Sequence, residues 1–278
     1  MRIIVRRFGE LKEEFVQRVF KIINDCYERA GDIDLKLVDL YLFENASLLG
    51  AFLDKEKREL GIKTSAFEHS FFSFHDAWRG IPRIMVAYDK LLSLPETVAE
   101  SCLIHEAAHT LLHGSLEHYS FSIPTVLLEL IEEGEISRQL AWNLLYLVSI
   151  AVKDYEVSRL LYKCGFLEEL NTYVGFFLEP SQEDVEAWGL VKNHRLAKFL
   201  YLTSLLKTLC CAVPLLKDKE CGEEIAGSIA KSIEYLSSDL REILMDVIET
   251  CLEFGENTHF NVNLLLKKIV DKFTFTTK

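Results

Sequence analysis

The feature that most constrains this chain is a change of period at Pro95. Before it, runs rich in branched and aromatic residues are mixed with helical stretches; after it, apolar residues recur three and four positions apart almost without interruption. Period two suits a half-buried strand, and period 3.6 suits a helix with one buried stripe. A single switch from a mixed pattern to a helical one predicts an α+β fold: a small mixed-sheet lobe followed by a mainly helical lobe.

In the first part, residues 2–8 read as a strand and residues 10–29 as a helix, with Phe15, Val19, Ile22, Ile23 and Cys26 on one side. Gly31 and Asp32 mark a turn. Residues 35–43 and 65–74 read as strands around a helix at 46–60. Residues 83–88, opened by Pro82, form the strongest strand pattern in the chain. Helices are expected at 96–114, 124–133, 136–164 and again beyond Pro180. The polar loop at 179–184 is the natural linker, dividing the chain into 1–178 and 179–278, unless both parts form one domain.

Composition narrows the function classes. At 278 residues and 49% hydrophobic, the chain can bury a large core. Its formal charge of -12 argues against nucleic acid as a partner, because phosphate binding needs clustered Lys and Arg. Seven cysteines without a CxxC pair are a poor disulfide framework and a poor zinc-thiolate signature, and they point to buried free thiols in a reducing compartment. The N-terminal residues lack a continuous apolar region, so no secretory signal is expected and the cytoplasm is the default location. Residues 141–152 are too few to span a bilayer, and residues 199–216 are interrupted by Lys207 and Pro214. Both are expected as buried helices, without stable membrane insertion.

The chemistry-bearing segment is His105-Glu106-Ala107-Ala108-His109. Four positions apart on a helix, the two imidazoles share a face and can converge on one metal ion. Glu106 lies roughly 100° round the helix, beside the ligands, where it can act as a base. The flanking Val98, Leu103, Ile104, Leu111 and Leu112 predict a buried helix. Two histidines and a carboxylate buried there would be costly without a partner, and a metal supplies one. His113 continues the series but lies about 12 Å along the axis from His105, too far for a shared ion. It is expected to act behind the ligands or in packing, near a helix stop at Gly114.

The third ligand must come from another element, and the segment around Asp154 and Glu156 is the best source. Projected as a helix, Asp154 falls in the apolar stripe of Leu147, Ile150, Ala151, Val157 and Leu161, whereas Glu156 falls with Ser149, Lys153 and Arg159. Asp154 is therefore the preferred ligand and Glu156 the substitute, with Glu132, Glu133 and Glu135 behind them. Ser158, one turn on, could orient a ligand.

These residues resemble the gluzincin-type zinc metallopeptidases, and the stretch 105–113 is similar to that of ImmA/IrrE-type regulatory peptidases and minigluzincins. The likeness covers about residues 82–166. It implies a zincin-like catalytic domain within 1–178, a Zn2+ cofactor, a protein or peptide substrate, and hydrolysis of peptide bonds by metal-activated water with Glu106 as base. In those families the third ligand is usually Glu, and this chain carries the shorter Asp154. The resemblance also implies that strand 83–88 is the edge along which a peptide lies, although its sequence equally fits an interior strand. An oxyanion donor is expected among Tyr155, His75, His118 and Arg159. The alternative is a zincin-like regulatory or protein-binding module whose metal is largely structural.

Overall fold

The computed structural model describes residues 1–31, 35–59 and 72–276. The expected turn at Asp32, residue 60 of the second helix, and residues 65–71 of the third expected strand lie outside these. The described residues divide into two compact units, Met1–Tyr119 with Cys164–Thr172, and Ser120–Lys163 with Tyr173–Lys278. The fold is α+β, with a small mixed sheet near the N-terminus followed by a mainly helical region.

The first unit contains β1 (Arg2–Phe8), α1 (Glu13–Ala30), β2 (Leu37–Phe43), α2 (Ala46–Glu59), β3 (Ser73–Asp76), β4 (Arg83–Ala87), α3 (Tyr88–Leu91) and α4 (Glu96–Leu112). The sheet order is β1-β2-β4-β3; the first three are parallel, and β3 runs antiparallel to β4. All five residues of β4 are buried, as a parallel strand covered on both faces requires. This corrects the edge-strand expectation: β4 is interior, bonded to β2 and β3, and among the described residues β3 is the edge on that side. The apolar run 84–87 was the signal for burial on both faces.

Aromatic and aliphatic side chains from β1, β2, β4 and α2 make one core, with Phe43, Leu49, Leu53 and Met85 buried and the Phe8 ring stacked on Phe43 at 4.5 Å. Residues Cys164–Thr172 join this unit through Arg29. Its guanidinium donates to the Gly165 carbonyl at 2.7 Å and to Glu169 at 3.1 Å, and lies over the Phe166 ring at 3.6 Å.

The second unit is built on α6 (Arg138–Lys163), with α5 (Thr125–Glu132), α8 (Gln182–Val191), α9 (Arg195–Ala212), α10 (Gly222–Ser232), α11 (Ser238–Glu249) and α12 (Thr258–Thr276). The helix α7 (Leu167–Leu178) begins in the first unit and ends in the second. α9 and α12 pack on α6, burying Leu144, Leu145, Val148, Ala151, Val152, Val157 and Leu161. By length and composition, Arg195–Leu215 could cross a membrane, but half of its most apolar window is buried inside the protein, as in a core helix. Ser181 opens α8 with a capping box shared with Asp184. None of the seven cysteines is in a disulfide, and six of them are buried.

Candidate metal centre

α4 is buried on nearly all sides, because α1 packs along it and β3 and β4 pack against it. The Tyr27 hydroxyl donates to Thr110 Oγ1 at 2.6 Å, and Thr110 in turn donates to the Ala107 carbonyl at 2.7 Å. The Cys26 thiol reaches the Ile104 carbonyl at 3.8 Å. With the helix fixed this way, the residues at 105, 109 and 113 lie one turn apart on one stripe. The helix ends at Leu112 with His113 as its cap, so the stop comes one residue before Gly114. Gly114 is required for another reason: a Cβ there would run into the Thr110 carbonyl.

His105 Nε2 and His109 Nε2 are 3.0 Å apart. Together with the Asp154 carboxylate they form a buried group whose ligand atoms all lie within 4.8 Å of one another, and which can hold a metal ion. Two imidazole nitrogens bound to one tetrahedral zinc at about 2.05 Å sit roughly 3.3 Å apart, so the observed spacing fits an ion without rearrangement of the helix. The donor set of two nitrogens and one carboxylate is also one that zinc accepts.

Glu106 lies beside this group. His75 Nδ1 donates to Glu106 Oε2 at 2.7 Å, and the His75 ring stacks on His109 with centroids 3.8 Å apart. His75 comes from edge strand β3, whose next residue is clamped. Asp76 accepts from Arg83 Nε at 2.6 Å and from Nη2 at 3.0 Å, while Arg83 donates to both oxygens of Glu56 at 2.7 Å. Arg79 adds a second cation to Glu56 at 2.7 Å. Burial holds the Asp76 carboxyl above its usual range, although Arg83 pulls the other way. This clamp fixes the strand that carries His75.

Comparison with family models, with curated proteins and with solved structures returns no match. The reading of the centre therefore rests on its own geometry.

Several expectations change. Glu156 was projected to face outward, but it is buried at 5% exposure and accepts from Asn261 Nδ2 at 2.6 Å and Thr258 Oγ1 at 2.8 Å. The projection of Glu156 onto the polar side fails as a guide to exposure because α12 covers that side of α6. All residues from Ala151 through Ser158 are buried. Lys153 is buried as well, and its ammonium pKa is lowered by desolvation against the pull of Asp154 and Glu156. Ser158, expected to orient a ligand, pairs with the Cys211 thiol at 2.9 Å.

Of the four possible oxyanion donors, His75 touches Glu106, and His118 packs its ring edge-to-face on His113 at 5.0 Å. Arg159 is committed to the Phe254 and Gly255 carbonyls at 2.9 Å each, and Tyr155 packs on Phe254. Glu132, Glu133 and Glu135 are exposed, and Glu135 pairs with Arg195. Sequence reasoning missed the Arg83 clamp entirely. Its only signal was a charged residue opening the most apolar strand.

Proposed function

We propose that this chain is a zinc-dependent metallopeptidase in which His105, His109 and Asp154 hold the ion and Glu106 is the general base. The observation that carries the reading is the 3.0 Å approach of the two Nε2 atoms beside the Asp154 carboxylate, with a second carboxylate, Glu106, one residue from the first histidine. A bound zinc supplies the Lewis acidity that lowers the pKa of a water and polarises a carbonyl. Glu106 accepts a proton and returns it to the departing amine. His75 donates to one Glu106 oxygen at 2.7 Å and so orients the carboxylate. The side chains of His75 and Glu106 are 15% and 13% exposed, so Glu106 is less deeply buried than the two histidines beside it.

A second reading, a binding module with a structural metal, draws on the burial of the three ligands, at 2%, 2% and 5% exposure. Closed sites are characteristic of structural zinc. Glu106→Gln separates the two: the peptidase reading predicts retained zinc and hydrolysis of an unstructured protein substrate reduced at least about 100-fold. Undiminished hydrolysis in that variant would reject Glu106 as the base. If zinc-loaded wild type cleaves no peptide in a diverse library, the module reading stands instead.

A further inference from the structure

The ring of His109 is contacted at both nitrogens. Nε2 faces His105, while Nδ1 lies 3.2 Å from Nδ1 of His113, which is 1% exposed. Two neutral imidazole nitrogens at that distance form a hydrogen bond only if one carries a proton and the other does not. A histidine that binds a metal through Nε2 has no proton there, so in the neutral ring the proton sits on Nδ1. His109 is then the donor and His113 the acceptor.

Resting on the proposed metal site, we infer that His113 is a positioning residue: it accepts the Nδ1 proton of His109, fixes that ring's tautomer and orientation, and so prepares Nε2 for the ion. Carboxylates and backbone carbonyls commonly take this place behind metal-binding histidines. Here a third histidine on the same helix does so, one turn further on, which explains why the series runs 105, 109, 113 although the last cannot reach the ion. The ring is held in turn: His113 caps α4, its backbone N–H bonds the His109 carbonyl at 2.7 Å, and His118 packs edge-to-face on it. Acting through a neutral acceptor, His113 adds no negative charge to the centre.

The test is Zn2+ affinity, measured by competition with a chelator of known strength, on wild type, His113→Phe, His113→Asn and His109→Ala. Asn places a carbonyl oxygen near the position of Nδ1 and keeps an acceptor, whereas Phe keeps the ring volume and removes it. The expected result is affinity weakened roughly 10- to 100-fold in His113→Phe and restored to within a few-fold of wild type in His113→Asn. Wild-type affinity in a folded His113→Phe overturns the inference, as does equal loss in both variants. Should His113→Phe not fold, imidazole nitrogen NMR of zinc-loaded wild type decides: His113 unprotonated at Nδ1 supports it, and His113 protonated there overturns it. Failure of the metal site itself looks different, since wild type and His109→Ala would then bind Zn2+ equally.

Discussion

At the scale of single residues, the two carboxylates of α6 divide the labour. Glu156 accepts from Thr258 and Asn261 inside the helical unit, so Glu156→Ala removes the buried acceptor of Thr258 and one of the two acceptors of Asn261 Nδ2 and should lower stability by about 1–3 kcal/mol. Zinc affinity should not change, and calorimetry beside a zinc titration checks both. Asp154→Ala should reduce zinc affinity. Arg83→Met leaves Glu56 and Asp76 buried without their shared cation and should cost about 3–5 kcal/mol, measured by urea unfolding. The Cys26 thiol is pushed up to about 12 from 9.0 by burial. Because the folded pKa is the raised one, the fold keeps the proton, and this stability is intact below pH 9. It is then lost as pH rises from 9 toward 12, at about 1.4 kcal/mol per unit. A pH series of denaturant midpoints in Cys26→Ala should lack that share of the alkaline decline.

At the scale of elements, the strand and helix periods were legible wherever one face alone is buried. β1 was placed to the residue, and β2, β4 and α6 to within two residues, because the ends of an apolar run mark the ends of an element even where its buried faces are misread. The pattern fails where an element is covered all round. Along α6 the face holding Lys153 and Glu156 is polar in sequence yet buried, since α12 brings Asn261 and Thr258 to meet it, and no local signal in α6 announces a partner more than a hundred positions away. β4 illustrates the same ambiguity: its apolar run fits an interior strand as well as an edge. The burial of α6 has a direct consequence. Leu144→Ala, at a position with no exposure, should destabilise by about 2–5 kcal/mol through a cavity, visible as a shift in the urea midpoint.

At the scale of the whole molecule, the acidic charge and scattered cysteines narrow what is expected of the chain, while one helical segment carries the metal-binding pattern. The spacing of His105 and His109 was enough to place two nitrogens on one face, because helix geometry is local. The residues that prepare them, His75 from β3 and the Arg83 clamp behind it, come from elsewhere in the chain and follow only from the fold. The measurement that bears most directly on the centre is zinc titration of the metal-free protein, comparing wild type with His105→Ala/His109→Ala. Wild type is predicted to bind Zn2+ stoichiometrically and the double variant, folded by circular dichroism, to lose that binding. Equal binding by the two proteins, or none by wild type, would contradict a metal centre at His105, His109 and Asp154.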